Sequence, residues 1–301
     1  MRWSPRSRPG SARPQWRLSA DAMVSPPSTL RSIPSHFSPE RLADIDARLA
    51  GIARDHRVEI GLAIESGSRA WGFPSPDSDY DCRFIFMRRT EDYLSPWQKR
   101  DVIETPLEDD MDVNGWELGK AIKLLLKGNA VVVEWLMSPI VYAGDEAFRS
   151  GLLRLARKHT DRAAIARHYL HLGERQRNTY FADHKTVSLK KIFYALRPAA
   201  ALRWLRLHPD AVIAPMDFHL LLDQCDPPAE VLRLSLDLIA RKAVTREFGT
   251  GALPTPIRDF VDGEFLVARD HFPARAHRIS EDARIEAATF FRAMLRDRPE
   301  T

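Results

Sequence analysis

With 301 residues, 44% of them hydrophobic and 29% charged, the chain is long enough for one large or two ordinary domains with apolar cores. Its two cysteines, Cys82 and Cys225, are too few for a disulfide framework or a zinc site, and charge breaks every apolar run well short of the ~18 residues a membrane span needs. The expectation is a protein of a reducing compartment, the cytoplasm, with no membrane partner.

Taken in order, residues 1 to about 34 are rich in Pro, Ser and Arg, with Asp21 the only acid, and are expected to form an extension without order. They lack the apolar stretch of a secretory signal, and Met23 offers a later start. Ser38-Pro39-Glu40 is a helix-start signal, followed by Leu42, Ile45, Leu49 and Ile52 at helical spacing. The apolar run Val58–Ile64 reads as a strand, and Cys82–Met87 as a second one. Short strands are expected at Asp101–Glu104 and Asp110–Val113, then a helix from Gly115 to Lys127 capped by Asn114. Buried segments follow at Val131–Met137 and Ile140–Tyr142. From Asp145 the pattern is helical, over about 145–158, 161–180, 187–207, 215–223 and 228–247, with Ile257–Ala268 ambiguous and a last helix over Ser280–Leu295. This predicts an α+β (α/β) fold. A disordered extension (1–34) precedes a small mixed β-sheet domain with flanking helices (35–143), and an all-helical domain (144–301) follows a break near Ser138–Asp145.

Charge is unevenly spread. Between Arg149 and Arg206 fourteen Lys or Arg stand against three acids, a net of +11, while the formal total is +4, leaving −7 elsewhere. Such a division fits metal-binding acids in one half and a surface for polyanions in the other.

The chemistry concentrates between the first two strands. Asp79 and Asp81 are two residues apart at the start of a strand and so project together. Paired carboxylates repel unless a cation lies between them. The preceding Gly67-Ser68 turn can offer backbone N–H groups and a hydroxyl to phosphates, with Arg69 beside it. Asp112, in the next predicted strand, is the candidate third acid, with Asp110 as its substitute on the same face. Arg83, in register with the pair, either balances those acids or meets a phosphate; Trp71 either stacks on a base or closes the loop. In the helical half, Lys190, Tyr194 and Arg197 share one helix face, next to Lys191, and are candidates for triphosphate or RNA backbone. A phosphate cradle beside paired carboxylates is suited to metal-dependent phosphoryl or nucleotidyl transfer.

Gly67-Ser68, Asp79-Tyr80-Asp81 and the later Asp112 resemble the DNA polymerase β nucleotidyltransferase superfamily. The wording of residues 65–72, 78–85, 112–118 and 190–198 is similar to its RNA-repair, RNA-ligase-associated (RlaP-like) branch, over about residues 38–250, with the tail beyond lying outside. The resemblance implies transfer of a nucleoside monophosphate from an NTP to an acceptor hydroxyl, an RNA end in RNA repair, in functional association with an RNA ligase. Gly67 and Ser68 would contact nucleotide phosphates; Arg69, Lys190, Tyr194 and Arg197, read from their own positions, are the further nucleotide-binding candidates. Asp79, Asp81 and Asp112 would be catalytic and hold two Mg²⁺ ions, or Mn²⁺. The alternatives are a protein side chain or a small molecule as acceptor, or a module that binds nucleotide or RNA without catalysis.

Overall fold

The computed structural model describes residues 29–108, 110–181, 186–246, 249–274 and 278–296. Helix α1 (Pro39–His56) begins at the expected signal: the Ser38 hydroxyl accepts from the Arg41 N–H, and Pro39 sits where a free N–H would have no helical partner. Strands β1 (Glu59–Glu65), β2 (Tyr80–Met87), β3 (Val102–Glu104), β4 (Met111–Glu117) and β5 (Val141–Gly144) form a sheet in the order β3-β4-β2-β1-β5. β2 and β4 pair in parallel and the other neighbours antiparallel. Two short helices, α2 (Gly67–Ala70) and α3 (Thr90–Leu94), follow β1 and β2, and β6 (Val187–Ser188) pairs with β7 (Thr250–Gly251) outside the main sheet.

Alternation along the strands divides the apolar side chains between two faces. Ala63, Cys82, Phe84, Phe86 and Val113 pack with Ile45, Leu49 and Ile52 of α1. Leu62, Ile64, Ile85 and Met87 pack under α4 (Leu118–Leu126), α5 (Ala130–Met137), α6 (Glu146–His159) and α12 (Glu281–Arg296). A third core is helical, built from α7 (Arg162–Tyr180), α8 (Leu189–Leu207), α9 (Phe218–Cys225), α10 (Ala229–Val244) and α11 (Thr255–His271). Phe73, from the loop after α2, enters this core, stacked on Phe193 at 4.5 Å and edge-on to Phe218 at 5.5 Å. The segment read as ambiguous, Ile257–Ala268, is therefore helical, burying Ile257, Val261, Phe265 and Ala268 on one face.

The helix expected from Gly115 starts later, because β4 continues to Glu117 with Met111, Val113, Gly115 and Glu117 buried and the residues between them half-buried. A Cβ on Gly115 would lie 2.2 Å from the Phe84 ring, so the glycine permits close strand packing rather than opening a helix. Trp116 stacks on Trp135 at 4.1 Å, and Glu117, not Asn114, caps α4 through the N–H groups of Gly119 and Lys120. Asn114 instead accepts from Thr105 N–H and donates to Asp112.

Ordered chain also begins before Ser38. Of the expected extension, residues 1–28 lie outside the described residues, whereas Leu30 and Ser32 hydrogen-bond to Gly144 and Val141 of β5 and Arg31 pairs with Asp46 at 2.9 Å. On the far side of the break read near Ser138–Asp145, α6 and α12 return to the sheet, with Phe290 filling the space over Gly151.

Candidate active site

The site forms where β1 ends and β2 and β4 begin. Asp81 opposes Asp112 in the parallel β2–β4 register, and strand alternation puts both on the face shared by Arg83 and Asn114. Asp79 is exposed just before β2. Asp110, by contrast, is in a turn at φ 65°, 3.6 Å from Arg41, and does not share the Asp112 face. A tight turn there lets Tyr80 N–H donate to Asp110 carbonyl, which aligns the start of the two strands.

Gly67 adopts φ 60°, and a Cβ there would lie 2.0 Å from Asp81 Oδ2, so the carboxylate rests on the bare glycine. Ser66 N–H donates to the Asp81 carbonyl at 2.8 Å. The Ser68 hydroxyl donates to Ser78 Oγ at 3.0 Å; Ser78 Oγ also accepts from Ser75 N–H at 2.9 Å. Arg69 turns toward the loop: Nη2 donates to Ser78 carbonyl at 2.6 Å and Nε to Asp79 carbonyl at 3.2 Å, with the guanidinium 3.9 Å from the Tyr80 ring centroid. It thus braces the loop that carries Asp79.

Beneath these residues is Glu65, fully buried, whose carboxyl accepts from Asp81 N–H at 3.0 Å and from the Tyr142 hydroxyl. Burial pushes its pKa up to about 8. Burial also raises the Asp81 carboxyl, with Asp112 and Asp79 adding to the shift and Arg83 and Lys190 opposing it. Arg83 Nη2 reaches Asp112 Oδ2 at 2.6 Å and Asp81 Oδ1 at 3.1 Å.

The helical half contributes through α8. Lys190 and Tyr194 are half-buried and face the acids: Lys190 favours the charged Asp81, while burial and the charges of Asp81, Tyr180 and Asp79 raise Tyr194. Tyr194 meets Trp71 edge-on at 6.1 Å, and the Lys191 ammonium lies 4.5 Å from the Tyr194 ring centroid. Arg197 departs from the expected ligand face. It is buried, with Nη1 2.6 Å from Glu134 Oε1, Nη2 donating to Met216 carbonyl at 3.1 Å and its guanidinium 4.8 Å from Trp71. A helix face repeats every 3.6 residues only approximately, and one turn beyond Tyr194 that face has passed under the loop.

Much of the basic excess is likewise paired within the chain. Arg177 pairs with Asp262, Arg203 and Arg206 with Glu264, and Lys158 with Glu286, while Arg149, Arg162 and Arg167 donate to backbone carbonyls. Lys185 lies outside the described residues.

Sequence reasoning missed the groups that hold the loop over residues 71–73. Phe218 N–H donates to Trp71 carbonyl at 2.9 Å, His219 Nε2 is 3.2 Å from Gly72 carbonyl, and Lys242 Nζ donates to Phe73 carbonyl at 2.6 Å. Lys242 had a readable signal: it continues the buried stripe Val231, Ser235, Leu238 and Ile239 of α10. Glu65 had one too, since it shares a strand face with buried Ala63.

The donors around Asp79 and Asp81 are carboxylate oxygens, and Asp79 is open to solvent, so these residues fit a hard divalent ion. Among the described residues no three acids, histidines or cysteines form a ready cation cage.

The chain is 40% identical over 218 residues to the uncharacterised protein YcgL of Bacillus subtilis (strain 168), a span of 72% of this chain and 82% of that protein. It also aligns with the crystal structure of a nucleotidyltransferase-like protein from Exiguobacterium sibiricum 255-15, at 11% identity and a TM-score of 0.26, over 87% of this chain and 81% of that one. The RlaP family match spans residues 43–292, continuing past the expected limit near 250 through α11 and most of α12. The chain belongs to the RlaP family, the RNA repair pathway DNA polymerase beta family.

Proposed function

We propose that the chain transfers a nucleoside monophosphate from an NTP to an acceptor hydroxyl on an RNA end. The observation that carries this reading is Asp81 in register with Asp112 on parallel strands, with Asp79 beside them and the Asp81 carboxylate seated on the Gly67 turn. Membership of an RNA repair family supports RNA as acceptor.

In this reading the acceptor oxygen forms a bond to the α-phosphorus, the α–β phosphoanhydride breaks, pyrophosphate leaves, and the hydroxyl proton passes to Asp112. Asp79 and Asp81 hold Mg²⁺, which when bound polarises the phosphates and stabilises the leaving group. Gly67 and Ser68 approach the phosphates, Lys190 offsets their charge, and the Trp71–Tyr194 pair presents aromatic surface to a base. Arg69 and Arg197 act indirectly, one bracing the Asp79 loop and the other supporting Trp71 from below.

The test incubates the chain with each labelled NTP, Mg²⁺ and a mixed RNA pool. Label should enter RNA, and Asp81→Asn should abolish transfer while the circular dichroism spectrum stays unchanged. Equal incorporation by the variant would refute the reading, and label appearing only on protein or a small molecule would move the acceptor away from RNA.

A further inference from the structure

The cation between Asp81 and Asp112 belongs to the chain itself. Because Arg83 follows Asp81 by two residues, it projects from the same face of β2, and the parallel register brings Asp112 beside it. Its guanidinium is held by four acceptors: Asp112 Oδ2 at 2.6 Å, Asp81 Oδ1 at 3.1 Å, the Asp112 carbonyl at 2.6 Å and the Cys82 carbonyl at 3.0 Å. Asn114 Nδ2 donates to the remaining Asp112 oxygen, Oδ1. Both oxygens of Asp112 are thus engaged by donors of the chain, whereas Asp79 is open to solvent.

Charge and burial favour keeping this arrangement. The Arg83 side chain is 18% exposed, so expelling it would strand a guanidinium and break four hydrogen bonds, two of them to carboxylates. Guanidinium is more weakly hydrated than ammonium and offers two terminal nitrogens, Nη2 to the carboxylates and Nη1 to the carbonyls, which suits arginine to this half-buried place. Asp79, Asp81 and Asp112 carry three negative charges; Arg83 and one divalent ion balance them.

We propose that Arg83 is a resident cation in the position of a second divalent ion, so that the chain holds one divalent ion, at Asp79 and Asp81, and leaves Asp112 free of metal. This rests on the metal-dependent reading above, and it narrows the expected two ions to one. Asp112 then serves as a carboxylate positioned by Arg83 and Asn114, directed at the acceptor hydroxyl.

The experiment titrates the full chain with Mn²⁺ alone, measuring bound ions by equilibrium dialysis and their spin coupling by electron paramagnetic resonance. Wild type should bind one Mn²⁺ per chain with an uncoupled six-line spectrum. Arg83→Gln should bind a second Mn²⁺ and show a coupled spectrum, while Arg83→Lys should stay at one. Asp112→Asn, which keeps Arg83 and carries the test should Arg83→Gln not fold, should leave the Mn²⁺ Kd within about twofold, while Asp79→Asn weakens it at least tenfold. Two Mn²⁺ ions on wild type, a tenfold loss in Asp112→Asn, or a folded Arg83→Gln that still binds one would overturn the role of Arg83 and leave nucleotidyl transfer standing. No Mn²⁺ uptake by wild type would overturn both.

Discussion

The carboxylate of Asp81 occupies the space that a side chain on Gly67 would fill, with Oδ2 only 2.0 Å from an ideal Cβ. The φ of 60° at Gly67 makes the same demand independently, since left-handed backbone strains any L side chain. Gly67→Ala should therefore cost about 1–2 kcal/mol from backbone conformation. It should also displace Asp81, and a misplacement of about 1 Å at a reacting group lowers turnover roughly 100-fold. Labelled-NTP transfer alongside urea denaturation would separate the two effects. A variant with wild-type transfer would mean that Asp81 does not need this seat.

Arg197 and Glu134 join α8 to α5 through an ion pair with side chains only 5% and 11% exposed. Removing one partner leaves an uncompensated buried charge, so Arg197→Met should destabilise the fold by about 3–5 kcal/mol. The double variant Arg197→Met/Glu134→Leu should recover most of that loss, because two apolar side chains of similar volume replace the pair. Urea denaturation of the two single variants and the double variant gives the coupling directly. If Arg197→Met instead kept full stability and lost only nucleotide affinity, the residue would belong to the ligand face that helical spacing had suggested.

Arg197 also shows where sequence reading stops. Spacing identified α8 and its basic residues, but the number of turns covered by the loop over residues 71–73 depends on contacts with α9 and α10, which no local pattern reports. Asp81 and Gly67 were legible because a local strand and a local turn carry them, whereas Asp79, read as the start of that strand, lies just before β2. Asp112 was legible as a residue, while its strand was read too short: Asn114 and Gly115 look like a cap and helix start until Phe84 is packed against that glycine. The +11 stretch was a true count with a partly misleading meaning, since its partners Asp262, Glu264 and Glu286 lie at least 56 positions beyond Arg206.

Glu65 supports Asp81 from below through the backbone. Glu65→Leu removes the acceptor for both the part-buried Asp81 N–H and the buried Tyr142 hydroxyl. An unsatisfied buried donor costs about 1–3 kcal/mol, so the substitution should destabilise the fold by roughly 2–4 kcal/mol. Glu65→Gln keeps an oxygen for Asp81 N–H and a polar group for Tyr142, and should stay within about 1 kcal/mol of wild type. Thermal melts of both variants check this, and equal losses would mean that volume, not hydrogen bonding, is what Glu65 supplies.

Lys242 offers a test by pH. The residue is 1% exposed, and its ammonium donates to the Phe73 carbonyl at 2.6 Å and lies 5.1 Å from the Phe73 ring centroid. Burial, and then the charge of Lys190, push its pKa down from 10.5 to about 8; Asp77 opposes the shift and Arg69 adds to it. Below pH 8 the folded and unfolded chains both hold the proton, and stability carries the cost of a buried cation without depending on pH. Between about 8 and 10.5 the unfolded chain keeps a proton that the folded chain has released, so the contribution of this group to stability rises with pH, then levels off. Lys242→Met removes that titration. Other groups ionise over the same range in both proteins, so the informative quantity is the difference between them: wild type should gain on Lys242→Met from pH 8 to pH 10.5, by on the order of 2–3 kcal/mol. Urea denaturation at intervals across that range measures the slope. A flat difference would place the Lys242 ammonium in contact with solvent and release the loop at Phe73 from α10.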